Sequence, residues 1–190
     1  MKDTYKGKVE IAQELLKHGA TFDVVDYEGK SALYLAIHRK KFDVAELLAK
    51  HGATFQGGEV KNDKLTSLLS DASTEGYYQV SKVLLENGAN VDGDMWSMSN
   101  LHFAAEDGYI NIVELLIENG ANVNFLDEER QTPFHGAVLH KRADVVKRFF
   151  ELGTNFDLNN RNMFGNTAFE DAVKKKKLKG ILKMMMYYNH

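Results

Sequence analysis

The sequence predicts an all-α fold in which one short helical unit is repeated along the chain. Two observations predict it. Apolar residues recur with the spacing of short amphipathic helices, and a glycine followed by a small residue closes these segments five times, at intervals of 33, 36, 32 and 33 residues. A fixed period of this length is typical of arrays in which each unit packs against its neighbours. The closing glycines are Gly19, Gly52, Gly88, Gly120 and Gly153.

The unit closed by Gly120 shows the elements in order. Ser99 precedes the first helical pattern, and its hydroxyl can accept a hydrogen bond from an unpaired backbone N–H. Gly108 separates this pattern from a second one, and Gly120 ends the second at a position that requires a positive φ. A helix pair this short cannot bury its own apolar stripe, so it has to pack against neighbouring units. The stripe of the second helix consists of Ile112, Val113, Leu115 and Leu116.

This order of residues resembles the ankyrin repeat, whose pattern runs D-x-x-G-x-T-P-L-H-x-A-A-x-x-G and then I-V-x-x-L-L-x-x-G-A. The best match to the opening is Thr132-Pro133-Phe134-His135-Gly136-Ala137, and residues 31–36 and 99–104 are close to it. Residues 67–72 and 167–172 are degenerate but keep the phase. The resemblance covers essentially the whole chain. It implies a solenoid of stacked helix-turn-helix units with β-hairpin fingers.

We expect one continuous array, because no proline-rich or serine-rich linker interrupts the period. It begins with a half repeat, 1–25, and the full repeats open at Ser31, Ser67, Ser99, Thr132 and Thr167. The five repeats span 26–61, 62–93, 94–126, 127–161 and 162–190.

Two segments are longer than the period requires. Gly52 to Ser67 is 15 residues and Gly153 to Thr167 is 14, against 12 for Gly19 to Ser31. We expect the extra residues to enlarge the fingers rather than the helices. They are either binding loops or neutral insertions, the glycine pair Gly57-Gly58 among them.

The composition predicts an intracellular protein, in the cytoplasm or the nucleus. Hydrophobic residues make up 44% of the chain, but no apolar run approaches the roughly 18 residues that a membrane span needs. No signal-peptide core comes after Met1, and there is no cysteine for a disulfide or a cysteine-based zinc site. The formal net charge of -3 gives no global attraction to nucleic acid. We therefore expect neither a membrane nor a nucleic-acid partner.

No enzymatic activity is predicted, and neither is a catalytic residue, a metal or a cofactor. The H-E-x-x-H, G-x-S-x-G, Walker A and G-x-G-x-x-G motifs are absent from the sequence. His102 and His135 occupy the histidine of the family's T-P-L-H motif, which implies hydrogen bonds within the fold and between repeats. His18 and His51 stand at helix C-termini, where the helix dipole favours a cation.

The resemblance favours a protein–protein interaction scaffold or adaptor. The alternative is a regulatory inhibitor that masks a basic segment of its partner, as inhibitor-of-kappa-B proteins do. In this family a partner contacts the finger tips and the ends of the first helices, along one concave face. The corresponding finger tips are Tyr27-Glu28, Asp63-Lys64, Met95-Trp96, Glu128-Glu129 and Met163-Phe164.

Trp96 and the acidic residues predict what the partner carries. Trp96, between Met95 and Met98, is either an anchor for the partner or a ring that folds back onto the neighbouring finger. Acidic residues at the middle of the face predict a partner with a basic or apolar segment. These residues are Glu106, Asp107, Glu128 and Glu129.

The two ends of the chain carry further signals. A lysine cluster near the C-terminus has two interpretations. It is a functional site, namely a nuclear-import signal or a phosphate-binding patch, or it is the solvated face of the last helices. Apolar residues such as Ile11, Leu15 and Ile181 near the ends predict a segment of a longer array, or end-to-end self-association. The cluster consists of Lys174, Lys175, Lys176, Lys177, Lys179 and Lys183.

Asn124 is a candidate modification site. It stands directly after Val123 and eight residues after Leu116, and in the resembled family asparagine hydroxylase acts on that pattern. The alternative is that Asn124 caps its turn through a side-chain hydrogen bond.

Overall fold

The computed structural model describes residues 2–57, 61–94, 97–153, 155–174, 180 and 183. Within these ranges the β pairing is one isolated bridge, between Val25 and Ser31, so the predicted all-α fold is confirmed. The residues group into two compact units, Met1–Asn90 and Val91–His190. The helices of the described residues are α1 (Lys2–Lys17), α2 (Ala32–His38), α3 (Phe42–Lys50), α4 (Asn62–Glu75), α5 (Tyr78–Glu86), α6 (Asn100–Asp107), α7 (Ile110–Glu118), α8 (Pro133–Leu139), α9 (Ala143–Glu151) and α10 (Ala168–Lys174).

In the first unit, α2 packs on α3 and α4 packs on α5, while α3 also contacts α1 and α5. Helices α2 to α5 turn apolar side chains inward, because helices this short gain most of their stability from packing. The core of this unit includes the fully buried side chains of Leu33, Ile37, Leu68, Leu69 and Leu84.

In the second unit, the first helices of successive repeats pack side by side, α6 on α8 and α8 on α10. The second helices α7 and α9 contact each other in the same way. Aromatic rings fill the space between α8 and α9: the centroid of Phe134 lies 4.8 Å from that of Phe156 and 5.7 Å from that of Phe149. Such offset and edge-on contacts stabilise a core beyond simple burial.

The predicted openings of four repeats are confirmed. Ser31, Ser99 and Thr132 are N-caps of α2, α6 and α8, each with extended backbone and a hydroxyl that satisfies a free N–H of the first turn. Thr167 caps α10 in the same way, because its Oγ1 accepts from the Glu170 N–H at 3.2 Å. The five closing glycines all have a positive φ, between 60° and 91°, as predicted for Gly120.

Three of the predicted fingers are tight turns, at residues 26–30, 127–131 and 162–166. In each, the first residue donates its N–H to the carbonyl of the fifth at 3.0 Å. The fourth residue has a positive φ, 75° at Gly29, 59° at Arg130 and 75° at Gly165. The first side chain, an Asp or Asn, accepts two further backbone N–H groups in an Asx turn.

The finger predicted before Ser67 is wrong, and so is the opening of the first helix at that residue. Helix α4 begins at Asn62, so Ser67 and the predicted finger residues Asp63 and Lys64 are helical. The fourth position of the turn would here be Leu65, which is buried and poorly suited to positive φ. Leu65 instead extends the stripe of Leu68 one turn towards the N-terminus. The extra residues therefore lengthen a helix.

Gly57 is not a neutral insertion. A Cβ atom at this position would overlap the ring of Tyr34, which is buried in the first unit. The ring also packs against Phe55, with 5.3 Å between the centroids. Only glycine lets the backbone pass this close to an aromatic ring.

Candidate protein-interaction surface

The second unit has a groove of about 530 Å³ between the ends of α6 and α8 and the turn 127–131. We call it the acidic groove. Met98 lies just before the cap of α6, Glu106 in the last turn of α6, and Leu139 and His140 at the end of α8. The residues that line it are Ser97, Met98, Glu106, Asp127, Glu128, Glu129, Gln131, Leu139 and His140.

Glu106 is a partly enclosed acid of the acidic groove, with 25% of its side chain exposed. Its stem packs against α8, where a Cβ at Gly136 would come within 2.8 Å of Cγ. Arg142 donates to the backbone carbonyl of Glu106 at 2.5 Å. His140 places Nδ1 4.0 Å from Oε2 of Glu106, too far for a hydrogen bond. Among the described residues, no cationic side chain therefore lies within hydrogen-bonding distance of this carboxylate.

Burial raises the pKa of the Glu106 carboxyl. His140 opposes this shift, whereas the negative charges of Asp127, Asp107 and Glu129 increase it. A negative charge at Glu106 is thus costly in the folded chain, and a cation entering the acidic groove would relieve that cost.

The other acids of the acidic groove differ in their roles. Oδ1 of Asp127 accepts the N–H groups of Glu129 and Gln131 at 2.9 and 2.7 Å, so this carboxylate holds the turn together. The side chain of Glu129 bonds to that of Gln131, and Glu128 and Glu129 are both exposed. Glu106, Glu128 and Glu129 can therefore meet a partner.

Met163 and Phe164 form an exposed pair on the next turn, which we call the apolar tip. Their residues are 58% and 67% exposed. The N–H of Met163 donates to the carbonyl of Glu129 at 2.8 Å, so the apolar tip directly adjoins the turn that lines the acidic groove.

The structure brings together only part of the predicted surface. Asp107 is exposed but does not line the acidic groove. Tyr27, 96% exposed, and Glu28, which pairs with Lys30, lie in the first unit. Met95 and Trp96 lie outside the described residues. Sequence reasoning missed Asp127 and Gln131, although the spacing of the turn residues was a usable signal for both.

His102 makes both hydrogen bonds that the resemblance implied, one local and one to the next repeat, whereas His135 makes only the local one. His102 is fully buried; its Nδ1 accepts the Ser99 N–H at 3.1 Å, and its Nε2 donates to the Gln131 carbonyl in the next repeat at 3.1 Å. Burial lowers its pKa, which favours the neutral ring. His135 makes the corresponding contact to Thr132, with 2.9 Å between Nδ1 and Oγ1. His18 and His51 donate from Nδ1 to carbonyls of their own helices at 2.8 Å.

Within the described residues there is no group of three or more His, Cys, Asp or Glu side chains that could hold a metal ion. Nor is any helix in those ranges long and apolar enough to cross a bilayer.

Comparison with known families agrees with the helical repeat and its caps. A family model described as ankyrin repeats, in three copies, matches residues 1–95 and again residues 96–189. The chain therefore belongs to the ankyrin-repeat family. Ankyrin repeats generally serve as protein–protein interaction modules and are typically non-enzymatic. A search of curated proteins found no match.

Proposed function

We propose that this chain is a protein–protein interaction scaffold or adaptor, a stacked solenoid that binds its partner through the turns and the first helices. The acidic groove is the observation that carries the proposal. It lies where α6, α8 and the turn 127–131 meet, and it combines carboxylates with the apolar side chains of Met98 and Leu139. A pocket with an apolar wall and a few placed polar groups is typical of binding sites.

The unfavourable free energy of the ionised Glu106 carboxylate in the folded chain supports the same proposal. A half-enclosed carboxylate among other acids opposes folding, and residues that weaken the fold are often retained at functional sites. The apolar tip adds a second argument, because exposed adjacent apolar side chains are typical of docking surfaces.

A regulatory inhibitor is the second candidate function. The acidic groove favours it, because a basic segment held there would be hidden from other ligands of the partner. A scaffold, in contrast, leaves the other ligands of the partner bound to that partner. Competition between this chain and a second ligand for the partner's basic segment distinguishes the two functions.

A photo-cross-linking experiment tests the proposal. A photoreactive residue replaces Glu128 at the acidic groove or, as a control, Glu118, which is exposed on the second helix α7. Each protein is irradiated in extract from its native source. We expect a defined protein cross-linked from position 128 and none from 118. Equal labelling from both positions, or none from 128, would contradict the proposal.

End-to-end self-association and an intracellular location are further parts of this proposal. Ile11 and Leu15 on α1 are 63% and 56% exposed, which supports association of the chain through this helix. Ile11→Asp should then lower the scattering mass measured at high protein concentration.

The lysine cluster is described only in part. Lys174 is exposed and contacts Asn166, while Lys175, Lys176, Lys177 and Lys179 lie outside the described residues.

A further inference from the structure

The acidic groove and the apolar tip form one continuous surface. The hydrogen bond from the Met163 N–H to the Glu129 carbonyl, 2.8 Å long, joins the two turns directly. A segment that leaves the acidic groove past Glu129 therefore reaches Met163 and Phe164 next. We propose that this surface binds an extended peptide segment of a partner protein in which a large apolar residue lies within a few residues of a basic one. The inference rests on the proposed function and specifies its partner.

Charge complementarity determines what the acidic groove accepts. Among its described lining residues there is no lysine or arginine, while Glu106, Glu128 and Glu129 carry carboxylates. Of these three, Glu106 is partly enclosed, whereas Glu128 and Glu129 are exposed. A guanidinium or ammonium group can enter between them and pair with Glu106. Charge-assisted hydrogen bonds of this kind are stronger than neutral ones.

The apolar tip determines the second residue type of the bound segment. Met163 and Phe164 are the most exposed large apolar residues among the described part of the second unit. Methionine and aromatic side chains are enriched at the cores of protein interfaces. Because the turn 162–166 is fixed by the Asn162 carboxamide, which accepts two backbone N–H groups, the tip is presented at a defined position beside the groove.

A selection from random peptides displayed on phage tests the inference with the full chain as bait. We expect selected peptides to contain a basic residue and, within a few residues of it, a large apolar one. For a synthetic peptide of that sequence, Glu106→Gln and the double substitution Met163→Ser with Phe164→Ser should each weaken binding by about tenfold or more. The matched controls Glu118→Gln and Val173→Ser change exposed residues that do not line the acidic groove. They should leave affinity within about twofold.

Three outcomes would overturn the inference. They are selected peptides without a basic residue, selected peptides whose affinity survives both groove and tip substitutions, and the absence of any selected peptide. Circular dichroism melts of each variant separate loss of binding from loss of fold. The proposed function is tested separately by the photo-cross-linking experiment, and it fails when position 128 cross-links no protein. If position 128 does cross-link a partner but one of the three outcomes above occurs, only the proposed peptide specificity is rejected.

Discussion

At the scale of single residues, Glu106 shows a conflict between stability and binding. Its pKa is raised above the ordinary 4.5, so the ionised form is the one that folding penalises. The penalty is present when the pH is above the folded-state pKa and disappears as the pH falls through it. The groups that face this carboxyl are Asp107 on α6, Asp127 and Glu129 on the turn, and His140 and Arg142 after α8.

We predict that Glu106→Gln stabilises the fold at neutral pH, because it removes a desolvated charge among like charges. The gain should be about 0.5–1 kcal/mol. It should shrink in acid, where Glu106 itself becomes neutral. Urea titrations at neutral and acidic pH measure it, with Glu118→Gln as the control. A loss of stability at neutral pH, or a gain that grows in acid, would contradict this account.

Asn124 links two repeats through its side chain. Its Nδ2 donates to the Asn155 carbonyl at 2.9 Å, and its Oδ1 accepts the Asp157 N–H at 2.7 Å. The expectation that Asn124 caps its own turn is wrong, because that local bond is made by Asn122, whose Oδ1 accepts the Asn124 N–H at 3.0 Å. Hydroxylation of Asn124 stays a prediction.

Asn124→Ala should lower the free energy of unfolding by about 1–2 kcal/mol, because two backbone groups lose their partner. Chemical denaturation measures the loss. Asn111→Ala, an exposed position on α7, serves as the control and should change stability little. Equal effects of the two substitutions would show that the bridging hydrogen bonds contribute nothing specific.

At the scale of secondary-structure elements, a left-handed residue follows each of the first helices α2, α4, α6 and α8. Gly76 and Gly108 supply it after α4 and α6, with φ of 85° and 86°. Lys40 and Lys141 do so after α2 and α8, with φ of 53° and 62°. A residue with a Cβ has a steric cost there that glycine avoids.

Lys141→Gly should therefore raise stability by about 0.5–1 kcal/mol. Lys141 is preferable to Lys40, which forms an ion pair with Asp71. Lys141→Ala is the matched control, because it removes the same charge but keeps the Cβ. Thermal melts of both variants test this. A glycine variant no more stable than the alanine variant would refute the steric explanation.

At the scale of the whole molecule, stability depends on packing between neighbouring helices of successive repeats. In the second unit, α10 covers α8 and buries Ala168 and Ala172 almost completely. Val173, the next residue on α10, is 49% exposed.

We predict that Ala172→Asp lowers the free energy of unfolding by about 2 kcal/mol or more, since it buries a charge in this interface. Val173→Asp places the same charge in solvent and should cost about 0.5 kcal/mol or less. The midpoints of urea denaturation measure the loss of stability in the two variants. Similar midpoints would mean that the packing of α10 on α8 does not support the array.

Local signals were enough to predict most of the repeat. The hydroxyl caps Ser31 and Thr132 and the closing glycines are predictable from residue types at fixed spacing, because caps and left-handed positions depend on few neighbouring atoms. The role of His102 was implied by the family resemblance. Helix α4 was mispredicted because the period was extended through a segment whose turn lacks a residue suited to positive φ. Leu65 is helical there instead, because burial of its side chain favours the helix over the turn that the repeat period predicts.

The candidate site was predictable only in part. The sequence by itself determined the ankyrin repeat, its helix ends and the acidic character around Glu106 and Glu128. Tertiary structure alone decided that Met98, Glu106 and His140 line one groove, that Asp107 does not, and that Gly57 must leave room for Tyr34. The physical reason is range: capping and backbone conformation act within a few residues, whereas a groove depends on side chains brought together from distant parts of the chain by packing.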